Sequence, residues 1–159
     1  KLDSTGTILF QQPRTGRHGH PFNILKFRSM YVIADSDNIR FAERNDKQVT
    51  RVGRFLRRIR LDELPQMWNV LKGEMTLIGP RPEQLEFTAR FDRLIPFYGF
   101  RHTVRPGITG WAQISGLRGD TSIEERTKYD LWYVEHWSLW MDIRIILRTA
   151  FHVVAGRSY

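Results

Sequence analysis

The chain contains no cysteine, which removes a disulfide framework, a thiolate metal site and a cysteine nucleophile together. No stretch approaches the ~20 consecutive apolar residues that a membrane-crossing helix needs, and nothing at Lys1 has the plan of a signal peptide. The phosphate-loop signatures GxxxxGKS and GxGxxG are missing, and no GxSxG elbow supports Ser/His/Asp chemistry. Acidic residues are the minority, 17 against 25 Lys and Arg, for a formal net charge of +8. A surface so charged seeks phosphates, whether in nucleic acid, anionic lipid headgroups or a phosphorylated substrate.

What is present suffices for one domain with a core: 159 residues, 41% hydrophobic and 13% aromatic, read as a single domain over 1–159. The chain opens on Lys1 close to a strand-like run, so a part of a longer protein is expected. Ile8–Gln12 and Phe22–Arg28 read as the strands of a hairpin across the turn-former-rich PRTGRHGHP. Asp35–Lys47 is polar and reads as a loop or short helix. From Arg51, the residues Val52, Phe55, Leu56 and Ile59 share one helical face, with Arg51, Arg54 and Arg58 on one flank and Arg57 and Arg60 on the other. Asp62 is placed to cap a following helix that Gly73 ends. GPRPE reads as a stiff turn, Gln84 to Phe91 as a helix, and the glycine-studded Val104–Thr121 as a functional loop. Ser122 and Glu125 form a capping box. After Ser138, the set Leu139, Ile143, Ile146, Leu147, Ala150, Phe151 and Val154 recurs at helical spacing beside Arg144, Arg148 and His152, which makes the last helix amphipathic and cationic.

Candidate chemistry centres on RRIRLDELPQ. Asp62 and Glu63 begin a helix, where the N-terminal partial charge favours ionised carboxylates. One acid would suffice for capping; two adjacent acids repel, and a bound Mg²⁺ relieves that repulsion while also binding phosphates. Both readings stand at this point. Arg57 and Arg81 are candidate phosphate ligands through bidentate guanidinium contacts, and alternation places Lys26 and Arg28 on one strand face. His18 and His20 lack a third metal ligand at matching spacing and read as turn residues. Trp132, Tyr133, Trp137 and Trp140 suit a core or, beside arginines, a membrane interface.

Four blocks, FNILKFRSM, RVGRFLRRIRLDELPQMWNVLKGEMTLIGPRPE, VRPGITGWAQISGLRGDT and YDLWYVEHWSLWMDIRIILRT, occur in an order and spacing that resembles the catalytic domain of the bacterial sugar transferases, the polyprenyl-phosphate hexose-1-phosphate transferases. The last block is most similar to the larger members, and STGTILFQQ stands where the family usually has a proline-bearing opening. The resemblance implies transfer of hexose 1-phosphate from a UDP-hexose to undecaprenyl phosphate, at the start of exopolysaccharide or O-antigen synthesis. It implies that Asp62 is a nucleophile forming a covalent phosphosugar intermediate, that Glu63 and Asp62 hold Mg²⁺, and that Lys26, Arg57, Arg81 and Arg118 contact phosphates. Arg118 enters mainly through the family.

The resulting expectation is an α+β domain, mostly helical, with an N-terminal β-hairpin and amphipathic membrane-surface helices. It would be a C-terminal part of a longer membrane protein at the cytoplasmic face of the bacterial inner membrane. The rival from another class is a basic nucleic-acid-binding module without enzymatic activity, against which stand the absence of a nucleic-acid motif and acids set inside the basic region. The sequence leaves the sugar and the oligomeric state open.

Overall fold

The computed structural model describes residues 3, 5–31, 48–119 and 121–155; the expected loop or short helix over Asp35–Lys47 lies outside them. The strands β1 (Leu9–Thr15) and β2 (Pro21–Phe27) pair antiparallel, from Leu9 opposite Phe27 to Thr15 opposite Pro21. They run deeper into the turn-former segment than expected. Pro13 lies within β1 and Pro21 opens β2, which a two-stranded sheet tolerates because both strands are edges. Just beyond β2 the chain is clasped: Met30 bridges Val49, Tyr31 N–H donates to Gln48 O at 2.8 Å, and Thr50 N–H donates to Ser29 O at 3.0 Å.

Helix α1 (Arg51–Arg58) is capped by Thr50, whose hydroxyl accepts from Gly53 N–H at 2.9 Å. Its docking surface is bare backbone: a Cβ on Gly53 would lie 2.1 Å from Ser29 O. The expected apolar face does not form the contact. Val52 and Phe55 are exposed, and Leu56 and Ile59 are only half-buried. At Arg60, which adopts φ 57°, the chain reverses into a 3-10 turn, Leu61–Glu63. Asp62 therefore sits in the middle of that turn rather than at a helix cap, and α2 (Gln66–Leu71) starts only after Pro65. Gly73, at φ 77°, does end this helix.

The strands β3 (Thr76–Ile78) and β4 (Gly107–Thr109) form a parallel pair that the sequence reading did not contain. Their junction demands glycine, since a Cβ on Gly107 would come within 2.1 Å of Gly79 N. Between them lie the PRPE turn, α3 (Leu85–Leu94) and a 3-10 turn, Tyr98–His102. The Val104–Thr121 segment is thus not one loop: it contains β4 and α4 (Trp111–Ile114). Half of the expected capping box is present at α5 (Ile123–Glu135). Ser122 Oγ accepts from Glu125 N–H at 3.3 Å but donates to Glu124 Oε2 at 2.6 Å.

Two apolar clusters hold the helices together. Ile114, Tyr133, Met141 and Ile145 join α4, α5 and α6 (Leu139–Val154), while Phe91, Ile95 and Tyr98 join α3 to its following turn. Helix α6 turns Met141 and Ile145 inward, so its longer apolar face, Leu139, Ile143, Ile146, Leu147, Ala150 and Phe151, is exposed. Of the aromatic cluster only Tyr133 is buried; Trp132, Trp137 and Trp140 are exposed. The fold is the expected α+β arrangement, helix-rich with an N-terminal hairpin, and among the described residues no helix is long and apolar enough to cross a membrane.

Candidate active site

Glu63 is the hub of the site. Lys26 Nζ, from β2, and Arg81 Nη2, from the PRPE turn, both donate to its Oε1 at 2.9 Å. Burial opposes ionisation of Glu63, but these two cations outweigh it and hold the carboxyl well below the usual range. Burial pulls the Lys26 ammonium below its ordinary value, against the attraction of Glu63.

Asp62, the preceding residue, is 7% exposed and accepts no hydrogen bond from a described residue. Burial raises its pKa first, and the charge of Glu63 raises it further, against the pull of Lys26, Arg57 and Arg81. A helix terminus would favour both acids as anions; with no helix beginning at Asp62, desolvation dominates there instead.

The rest of the frame is polar. Asn69, 1% exposed on α2, accepts from Leu25 N–H at 3.0 Å and donates from Nδ2 to Asn23 O at 2.8 Å and Glu74 Oε2 at 2.7 Å. One amide thereby fixes the helix after the acids to the strand bearing Lys26. Arg57 is oriented by Ser29, whose hydroxyl accepts from its Nε at 2.8 Å.

Of the residues proposed from sequence, Asp62, Glu63, Lys26, Arg57 and Arg81 act on one another electrostatically. Arg118 is not among the groups that shift the acids most; its Nε donates to Gln113 O at 2.9 Å. Arg28 diverges from Lys26 and donates to the carbonyls of Thr7 and Thr5. His18 and His20 are exposed turn residues. Sequence reasoning missed Asn69, Ser29 and a buried ionic group of Glu83, Arg101, Arg126 and Asp130 behind the PRPE turn. Asn69 carried no legible signal, since an amide in a helix usually faces water.

The donor set can be tested against Mg²⁺. Among the described residues no group of three or more His, Asp and Glu side chains forms a cage. Mg²⁺ needs no such cage, because it is commonly held by one or two carboxylates with water and substrate phosphates completing its shell. Asp62 and Glu63 fit that pattern: Glu63 meets its cations through Oε1 alone, and the Asp62 carboxylate carries no described hydrogen bond.

Known proteins resemble the chain along nearly its whole length. A family model described as bacterial sugar transferase matches residues 1–156. A UDP-N-acetylgalactosamine-undecaprenyl-phosphate N-acetylgalactosaminephosphotransferase of Aeromonas hydrophila is 47% identical over 160 residues, covering 98% of this chain and 37% of that protein. A UDP-glucose:undecaprenyl-phosphate glucose-1-phosphate transferase of Escherichia coli K12 is 48% identical over 155 residues, 95% of this chain and 33% of that protein. A Caulobacter vibrioides protein of the same name is 47% identical over 153 residues, 94% of this chain and 57% of its own length. The chain thus spans about a third of the first two relatives.

Proposed function

This chain belongs to the bacterial sugar transferase family, and from that membership and the Asp62 site we propose that it carries the catalytic step of a phosphoglycosyl transferase. Hexose 1-phosphate would pass from a UDP-hexose to undecaprenyl phosphate, the acceptor in the names of the relatives, to initiate exopolysaccharide or O-antigen synthesis. A relative named as an exopolysaccharide production protein, 43% identical over 157 residues, supports that setting.

The observation that carries the reading is a buried aspartate with no described hydrogen bond, ringed by Lys26, Arg57 and Arg81. In the proposed chemistry an Asp62 carboxylate oxygen attacks the sugar-bearing phosphorus. The bond from that phosphorus to the bridging oxygen breaks, and the oxygen leaves with UMP. A phosphate oxygen of the acceptor then attacks the same phosphorus, and Asp62 departs as a carboxylate. Attack by one anion on another requires charge cancellation in the transition state, which Lys26, Arg57 and Arg81 provide. Mg²⁺, held by Asp62 and Glu63 when bound, would neutralise further diphosphate charge. The Glu63 carboxylate keeps Lys26 and Arg81 in place.

A lipid acceptor is supported by exposed apolar side chains, one set of them following the acids in sequence. Leu64, Met67, Trp68 and Leu71 recur at helical spacing directly after Asp62, and all are exposed. Helix α6 likewise presents Trp140, Ile143 and Leu147 with Arg144 and Arg148 around an open groove of about 350 Å³. Apolar side chains flanked by arginines suit the surface of an anionic membrane, here the cytoplasmic face of the inner membrane. A nucleic-acid-binding role is disfavoured by the acids at the centre of the cationic cluster.

The test is UMP release by full-length protein from a panel of UDP-sugars with Mg²⁺ and no acceptor. UDP-glucose and UDP-galactose come first, since names among the relatives include glucose, N-acetylgalactosamine and galactose. A burst stoichiometric with enzyme is expected; its absence with every donor would overturn the reading.

A further inference from the structure

Arg81 lies between Pro80 and Pro82, so neither neighbour has a backbone N–H with which to close the turn on itself. The carbonyls must be held from outside, and four in succession are. Pro80 O accepts from Gly107 N–H at 2.9 Å, Arg81 O from Arg101 Nη2 at 3.0 Å, Pro82 O from Arg14 Nη1 at 3.3 Å, and Glu83 O from Thr15 N–H at 2.9 Å. Each donor belongs to a different residue, and the one on Arg81 itself comes from a side chain that is 1% exposed.

That side chain is tightly determined. Arg101 Nη1 donates to Tyr98 OH at 2.9 Å, Nη2 donates to Asp130 Oδ2 at 2.5 Å, and Glu83 Oε1 stands 3.9 Å from Nη1. Arg126 reaches the same Glu83 oxygen at 3.0 Å. Helix α5 therefore grips the turn twice, through Arg126 on Glu83 and through Asp130 on Arg101.

Stability alone gives a weak reason for burying this ionic group, because well-packed apolar replacements of buried ion pairs are often neutral or stabilising. An apolar pair could not supply a donor aimed at the Arg81 carbonyl. Lysine could not either while also meeting Tyr98 and Asp130, since only guanidinium offers several donors in a fixed planar fork. We propose that Arg101, held by Asp130, is a positioning residue that sets where the Arg81 guanidinium meets Glu63 and the incoming diphosphate. It touches no reacting atom and acts through the backbone of Arg81. The proposal rests on the transferase reading for its kinetic consequence but not for its geometric one.

The experiment separates those two. Full-length protein in nanodiscs is compared as wild type, Arg101→Lys, Asp130→Asn, Arg81→Ala and Arg81→Ala with Arg101→Lys. Side-chain ¹⁵N NMR, with the Arg81 signal assigned by its loss in Arg81→Ala, needs no substrate. In Arg101→Lys and Asp130→Asn that signal should move toward free arginine, while near-ultraviolet circular dichroism stays native; an unmoved signal in both overturns the proposal. If Arg101→Lys loses its native dichroism, Asp130→Asn decides alone, and Tyr98→Phe replaces it should both unfold. In the UMP-release assay Arg101→Lys should lose on the order of tenfold to a hundredfold in the wild-type background and nothing further in Arg81→Ala. Equal losses in both backgrounds would make Arg101 merely structural. Wild type that releases no UMP from any donor would refute the transferase reading, with the NMR comparison still deciding the positioning.

Discussion

Asp62 and Glu63 share one 3-10 turn, yet their carboxyls meet opposite environments. Glu63 takes Lys26 and Arg81 on a single oxygen, at 2.9 Å each, and is held ionised. Asp62 takes no described hydrogen bond, and burial with the Glu63 charge makes its anion costly. One acid organises the cations, while the other is the one proposed to attack phosphorus.

Asp62→Asn should therefore separate activity from stability. The UMP burst is expected to vanish, while the fold gains stability at neutral pH, because a buried carboxyl with a raised pKa is relieved of its charge. The sign follows from linkage: a raised folded pKa makes stability fall as pH rises from the ordinary aspartate value of 3.8 through the folded one. Thermal melts across that window would check it, and a normal burst from this variant would end the nucleophile assignment.

Glu63→Gln should shift a pH profile as well as lower a rate. UMP release by wild type should have an acid limb above the ordinary aspartate value of 3.8, since Asp62 must be ionised to attack. Removing the Glu63 charge removes one of the two causes raising Asp62, so the limb should move to lower pH in the variant. Stability should also drop, because the buried Glu63 carboxylate no longer meets Lys26 and Arg81. The Glu63 contribution is present above 4.5 and is lost as pH falls through its depressed folded value, so the gap between variant and wild type should narrow in acid. A limb that stays in place would contradict the coupling of the two acids.

On α6, Arg144→Glu with Arg148→Glu should weaken sedimentation of residues 1–159 with anionic vesicles and change little with neutral ones. Both arginines are exposed. Unchanged sedimentation would remove this helix from the proposed membrane surface.

Gly53→Ala should cost about 1 to 3 kcal/mol in chemical denaturation, since the new methyl group would start 2.1 Å from Ser29 O. Arg54→Ala, next door and exposed, should stay within about 0.5 kcal/mol. Equal values would mean that α1 does not dock through Gly53.

The candidate site residues were easier to gather from the sequence than the details of the fold around them. Asp62, Glu63, Lys26, Arg57 and Arg81 stood out because opposite charges beside rigid turn residues are uncommon, and the family resemblance put them in order. The helices of α1 and α6 were legible from periodicity, but the side facing inward was not: Val52, Phe55, Ile143 and Leu147 are exposed. An apolar stripe looks the same whether it meets a protein core or a lipid. The pair β3 and β4 escaped because three-residue strands are too short to alternate visibly. Arg101 and Asp130 escaped because charged residues read as surface until a structure supplies their partners.

The bridge between Met30 and Val49, with the hydrogen bonds on either side of it, fastens the chain just after the strand that carries Lys26 to the chain just before the helix that carries Arg57. Two cations well separated in the sequence are thereby kept in register by main-chain pairing.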